Sequence, residues 1–317
     1  MSKSSFNGVN YSLRPSKTIQ RGLVFEGLRR LQEALNWSKA TYVGFGSIWF
    51  TDFILAHKAL NISRMVSIES DNIGYSRARF NKPYRFIRMK YGLSYDKIPQ
   101  LYEEVRFPNY PAILWLDYDQ RIDSDKLDEI RYIVENATAD SVLLVTFDAS
   151  EKLYGSDPSQ VAEYLGVLFD RLAPNNFTRE QVRKFGLATT LANLTRDVMI
   201  SASSKARKSN ECLPAFNIVY QDKATMVTVG AAFPSPTTRD DVRRAIAAST
   251  WPGVVAEPII APHLTSKEAS VLQSNLPAGL GMSRDAVRDL GFDLEEEQIK
   301  AFERFYRHYP TFAQIIP

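Results

Sequence analysis

Three short stretches of this sequence carry residue types that could do chemistry. The first is Val43-Gly-Phe-Gly-Ser47, where Gly44 and Gly46 stand at the end of an apolar run. Glycines there permit a tight turn and a close backbone approach to a ligand, and Phe45 and Ser47 would complete a nucleotide-binding turn. The second is Glu69, twenty-three residues beyond Gly46 at the end of another apolar run. That is the spacing at which a carboxylate grips ribose hydroxyls in dinucleotide-type folds. The third is Asp117-Tyr118-Asp119, which ends the apolar stretch Ala112-Ile-Leu-Trp-Leu116 abruptly. Such carboxylates could orient an amine or accept a substrate proton, with Tyr118 as a further base or orienting group. Each signal has a plainer reading: a structural turn, a solvated strand end, and a helix cap beside an exposed acid.

The elements that must position these residues are legible from periodicity. Apolar residues from Thr18 to Leu35 recur at steps of three and four, which predicts an amphipathic helix. Strands are predicted at Ala40–Phe45, Arg64–Ile68, Tyr84–Met89, Ala112–Leu116 and Ser141–Phe147. Helices are predicted at Ile48–Leu60, with its start near Ser47, and at Ser124–Asn136 with Ser124 as cap. Further helical patterns cover Pro158–Leu172, Thr178–Phe185 and Leu191–Arg207. Leu213–Tyr220 and Thr225–Ala232 flank Gln221-Asp-Lys-Ala224 as a hairpin. Apolar strands alternating with amphipathic helices give a mostly parallel α/β sheet covered on both faces. After the crossing Pro234-Ser-Pro-Thr-Thr238, helices are expected near Asp240–Ser249, Ser266–Gln273, Ser283–Asp289 and Leu294–Tyr309. The division that follows is a segment and helix over 1–35, a Rossmann-like unit over 36–233, and a helical extension over 234–317.

Composition narrows the function. With 317 residues, 44% hydrophobic and 24% charged, the chain has an ordinary globular make-up, and its formal charge of +3 gives no strong vote for nucleic acid. One cysteine, Cys212, excludes an internal disulfide and a cysteine metal cluster, and His57, His263 and His308 lie far apart, so no metal is expected. No apolar run approaches membrane-spanning length, which makes a soluble cytoplasmic protein the expectation. The most basic interval, residues 77–90, interleaves Arg77, Arg79, Lys82, Arg85, Arg88 and Lys90 with Phe80, Tyr84 and Phe86. That pattern could bind a nucleic acid backbone, or form an ordinary surface with core-facing rings. Arg14, Lys17 and Arg21, together with Tyr11-Ser-Leu-Arg-Pro15, could close over the pocket.

The glycine turn, Glu69, the Asp-Tyr-Asp strand end and the late hairpin together resemble the class I S-adenosylmethionine-dependent methyltransferases. The resemblance covers about residues 20–232. It implies a seven-stranded, mostly parallel Rossmann-like sheet closed by an antiparallel hairpin, with S-adenosylmethionine as cofactor. It also implies that Gly44, Phe45, Gly46, Ser47 and Glu69 hold the cofactor, and that Asp117, Tyr118 and Asp119 serve a nucleotide-containing or small polar acceptor. The sequence departs from the family in two respects: Thr41-Tyr42-Val43 replaces the usual acidic residue before the first glycine, and the turn has one glycine fewer than its fullest form. Two other readings stay open: a non-catalytic Rossmann-like sensor or assembly subunit using the C-terminal helices for partners or self-association, and another nucleotide- or NAD-using enzyme.

Overall fold

A computed structural model describes residues 14–104, 107, 109–206, 211–279 and 281–310. Seven strands form one sheet: β1 (Thr41–Gly44), β2 (Met65–Glu69), β3 (Ile87–Tyr91), β4 (Ala112–Asp117), β5 (Ser141–Asp148), β6 (Leu213–Gln221) and β7 (Thr225–Phe233). Their order is β3-β2-β1-β4-β5-β7-β6. β7 runs antiparallel to both β5 and β6, and the remaining pairings are parallel. This is the mostly parallel sheet with a terminal hairpin that the sequence implies. Strand order reverses beside β1, between β1 and β4, and ligands of open α/β sheets bind at such a point beyond the carboxyl ends of the strands.

Alternation of side chains divides the strands between two cores. Val43, Val66, Leu114, Leu116, Leu143 and Val145 face one side. There they meet α4 (Ser94–Tyr102), α5 (Ser124–Asn136), α6 (Pro158–Phe169) and α7 (Lys184–Ala206). Tyr42, Met65, Ile113, Trp115, Val142 and Leu144 face the other, against α1 (Pro15–Ala34), α2 (Thr51–Leu60) and α3 (Asn72–Asn81). Both faces being covered explains why the central strands are continuously apolar.

Several local details differ from the expectations. α2 starts at Thr51, not near Ser47, because residues 47–49 form a turn and Phe50 takes a left-handed conformation (φ 51°). The cap of α5 is Asp123, whose carboxylate accepts from Lys126 N at 3.1 Å, so Ser124 is the first helical residue. Thr178–Phe185 is no helix of its own: residues 179–182 form a turn, Lys184 has a φ of 46°, and α7 begins there. α4 escaped the periodicity reading because Pro99 interrupts its short pattern.

The described residues after β7 pack back against β6 and α1. Residues 253–259 run beside the outer strand β6, with Asn217 N donating to Gly253 O and Gln221 N to Ile259 O. The backbone of an otherwise open edge is thereby partly paired. α8 (Arg239–Ala247), α9 (Ser266–Ser274), α10 (Arg284–Asp289) and α11 (Glu296–Phe305) follow. Leu272, Met282, Val287, Ile299 and Phe302 make a small core of their own, while Trp251, Ile259 and Phe305 join the core under α1.

Candidate active site

The carboxyl ends of the parallel strands open into a cavity of about 1100 Å³. Of the eight residues singled out from sequence, Phe45, Gly46, Ser47, Glu69, Asp117, Tyr118 and Asp119 line it. Gly44 lies just beneath, as the last residue of β1.

The glycine turn has a different physical basis from the one expected. A Cβ on Gly46 would meet the Phe50 ring at 2.4 Å and Ser67 Oγ at 2.7 Å; one on Gly44 would meet the Trp115 carbonyl at 2.9 Å. The protein's own wall excludes a side chain at both positions before any ligand does. Gly46 N donates to Ser67 Oγ at 3.1 Å, and Phe50 N to Gly46 O at 2.7 Å, which closes the turn. Ser47 (φ 49°) and Phe50 are both left-handed, a strained state for residues with side chains that recurs at ligand sites. Trp49, expected inside the helix, instead sits half-exposed on the cavity rim.

Glu69 ends β2, and its Oε1 accepts from Asp71 N at 2.9 Å. Burial raises its carboxyl above the ordinary value, and the charges of Asp71 and Asp119 add to this. Asp71 in turn caps α3 by accepting from Gly74 N at 2.7 Å.

At the end of β4, Asp117 forms a shielded ion pair with Lys17 of α1 at 2.6 Å. Beside it Arg21, one helical turn further along α1, pairs with Asp52 in the first turn of α2. α1 is held at this spot by a long-range cap: Asp222, in the turn between β6 and β7, accepts from Ser16 N and Lys17 N at 3.1 Å each. The expected closing segment is thus the start of a helix that forms one wall. Tyr11 to Leu13 lie outside the described residues.

Tyr118 turns the other way. Its ring packs on Phe45, and its hydroxyl donates to Glu129 Oε2 at 2.8 Å. Ser94 Oγ donates to the same oxygen at 3.0 Å, while Glu129 Oε1 is buried with no partner. Burial, reinforced by the Glu129 charge, pushes the Tyr118 hydroxyl well above the usual tyrosine value. The Glu129 carboxyl is likewise raised by burial, against the two hydrogen bonds it accepts. Asp119 is exposed at the mouth.

Glu129, Ser94, Lys17, Arg21, Asp52 and Tyr220 therefore join the site. Glu129 gave no sequence signal, since it is one of several acids, with Asp125 and Asp128, in the first two turns of α5. Tyr220 looked like an ordinary strand residue of the hairpin. Lys17 and Arg21 were visible as a basic cluster and Asp117 as a strand-end acid, but not the pairing of Lys17 with Asp117 or of Arg21 with Asp52.

The lining carries nine carboxylate and four cationic side chains, although the whole chain has a formal charge of +3. Within residues 77–90, Arg88 and Lys90 are engaged by Glu104, and Tyr84 and Phe86 pack on His57. Arg79, Arg85 and Phe80 are exposed.

Comparison with known proteins bears on this geometry. The family described as "Putative O-methyltransferase" matches residues 9–317, almost the whole chain. The chain belongs to this family. With its sheet order, it is a class I S-adenosylmethionine-dependent methyltransferase, divergent in sequence. Solved structures similar to this methyltransferase include an O-methyltransferase from Bacillus cereus in complex with SAH, at 12% identity. That match covers 67% of this chain and 80% of the other, with a TM-score of 0.39. Another is the O-methyltransferase TomG from Streptomyces achromogenes, involved in tomaymycin synthesis and solved with SAM. It is 14% identical, the match covers 72% of this chain and 91% of the other, and the TM-score is 0.39. No curated protein matches the sequence significantly. No helix among the described residues of the methyltransferase is long and apolar enough to cross a membrane.

The residues fit the cofactor. S-adenosylmethionine carries one net positive charge, and the cavity has a surplus of carboxylates. Its volume exceeds the usual range of small-molecule sites, about 300–1,000 Å³, which leaves room for an acceptor beside the cofactor.

Proposed function

We propose that this methyltransferase modifies a hydroxyl of a small polar acceptor without a phosphate. The carboxylate surplus of the cavity carries this reading. It favours a cationic cofactor and repels the phosphates of a nucleotide or nucleic acid acceptor. The family description supports oxygen as the acceptor atom. We read residues 36–233 as the catalytic unit, closed at one end by α1, with 234–317 as an accessory layer, and place the protein in the cytoplasm.

When bound, S-adenosylmethionine supplies an activated methyl group, so the chain's own tasks are to bind, orient and take up a proton. Glu69 is suited to accept hydrogen bonds from ribose hydroxyls, and the Phe45-Gly46-Ser47 turn to bound the cofactor beside it. Asp117, held by Lys17, is the candidate to orient the acceptor hydroxyl and accept its proton. Tyr118, donating to Glu129 and raised far above neutral, is assigned a positioning role through its ring on Phe45. Asp119 meets the acceptor at the mouth.

Calorimetric titration with S-adenosylhomocysteine, followed by methyl transfer to a panel of phenols, alcohols and nucleotides, tests the proposal. Binding with turnover of an unphosphorylated hydroxyl compound is expected. Turnover confined to nucleotides or to amines would overturn it.

A further inference from the structure

The inner end of the cavity has a charge arrangement that neither a simple anion nor a simple cation satisfies. Lys17 and Arg21 stand four residues apart on one face of α1. Each is already matched by a carboxylate, Asp117 at 2.6 Å for Lys17 and Asp52 for Arg21. All four side chains are largely shielded from solvent and line the cavity. Inserting a lone carboxylate or a lone ammonium here would leave one unbalanced charge in a poorly hydrated place, at a large desolvation cost. A zwitterion changes no net charge. Its carboxylate can join the two cations of α1 while its ammonium joins Asp52 and Asp117.

A second observation points to a ligand at the same spot. Tyr220 of β6 is 1% exposed and lines the cavity, yet its hydroxyl has no hydrogen-bond partner. A buried hydroxyl without a partner costs free energy that a bound polar group would recover. Burial and the nearby Asp117 charge keep that hydroxyl protonated, so it can donate.

Position agrees with chemistry. β2 and β4 flank β1, so Glu69 and Asp117 are separated by two strand spacings, about 10 Å. That is on the scale of the distance between the ribose and the amino-acid end of an adenosyl amino acid.

We infer that Lys17, Arg21, Asp52, Asp117 and Tyr220 form a subsite for an α-amino-acid zwitterion, with α1 supplying its cationic half. The inference rests on the cavity being the cofactor site, and it assigns the cofactor's amino-acid end to this cluster. Asp117 then serves two neighbours, the cofactor's ammonium and the acceptor hydroxyl. A ligand with the nucleoside but without the amino acid gains nothing from the cluster.

The test is calorimetry on the full chain with S-adenosylhomocysteine and with 5′-methylthioadenosine, which lacks the amino-acid end. Wild type is compared with Lys17→Met, Arg21→Met and Tyr220→Phe, each checked for folding by thermal melting. Wild type should prefer S-adenosylhomocysteine by about 100-fold, and Tyr220→Phe should lower its affinity about tenfold. Affinity for 5′-methylthioadenosine should stay within about twofold in every variant. Tyr220→Phe removes one oxygen from a packed ring and has no lost partner, so it keeps the test readable if the α1 variants do not fold. Equal weakening of both ligands, or an undiminished preference in all folded variants, overturns the subsite. If wild type binds neither ligand, the cofactor reading of the cavity falls with it.

Discussion

Glu129 shows how a single carboxyl can organise a wall of the site. It receives the Tyr118 and Ser94 hydroxyls on one oxygen and buries the other without a partner. Its carboxyl is raised above 4.5 chiefly by burial, so the folded state binds the proton more tightly than the unfolded chain does. Stability from this group is therefore full below pH 4.5 and is lost as pH rises through the raised folded value. Glu129→Gln keeps an acceptor for both hydroxyls and does not titrate. The stability of wild type relative to Glu129→Gln should fall over that window and then level off, as read by denaturant melts at a series of pH values. Tyr118→Phe should cost about 1–3 kcal/mol by removing a donor from the same carboxyl. At Glu69, replacement by Ala should weaken S-adenosylhomocysteine binding by about 10–100-fold in calorimetry with little loss of stability, since the ribose would lose a charged acceptor. Unchanged affinity would remove Glu69 from the site. Glu69 and Asp117 were legible in the sequence because chain geometry places strand ends together. The role of Tyr118 was not, because it depends on Glu129 and Ser94, which only packing brings to it.

Among the elements, the β1 turn and α1 carry the site. Gly46→Ala would drive a methyl into Phe50 and Ser67, so it should cost about 1–3 kcal/mol through overpacking. That loss should appear in melts without any ligand, separating wall packing from ligand contact. Strand positions and the hairpin were readable because both central faces are apolar and hairpins have short connections. Helix starts were less readable. Nothing in Ser47-Ile-Trp-Phe50 announces a left-handed Phe50, and a cap such as Asp222 lies 206 residues from the helix that it serves. Asp222→Ala should loosen the first turn of α1 at a cost of about 0.5–2 kcal/mol, and the exchange of its amide protons should quicken more than that of the sheet.

For the molecule as a whole, a carboxylate-rich cavity inside a chain of formal charge +3 separates the reaction from the outer surface electrostatically. S-adenosylmethionine brings one net positive charge and leaves as neutral S-adenosylhomocysteine. Raising the salt from about 0.01 M to about 1 M shortens the Debye length from about 30 Å to about 3 Å. The affinity of the cationic form should fall more than that of the neutral product; equal salt slopes would count against an acidic cavity as its binding site. The C-terminal helices were predicted as elements, but not how they pack against α1 and β6, because Trp251 and Ile259, which join the core there, lie in an irregular stretch that has no helical or strand period.

The remote cap on α1 also bears on how the protein is made. At about 5–20 residues per second, a ribosome needs about 10–40 s to travel from Ser16 to Asp222. Throughout that interval the earliest helix lacks the contact that sets its first turn, and Lys17 waits 100 residues for Asp117. The pocket is consequently completed only once the β6–β7 hairpin has been made. Cofactor capture then reports that synthesis has passed the final hairpin, and a truncated chain ending before it would have its five parallel strands but no finished place for the ligand.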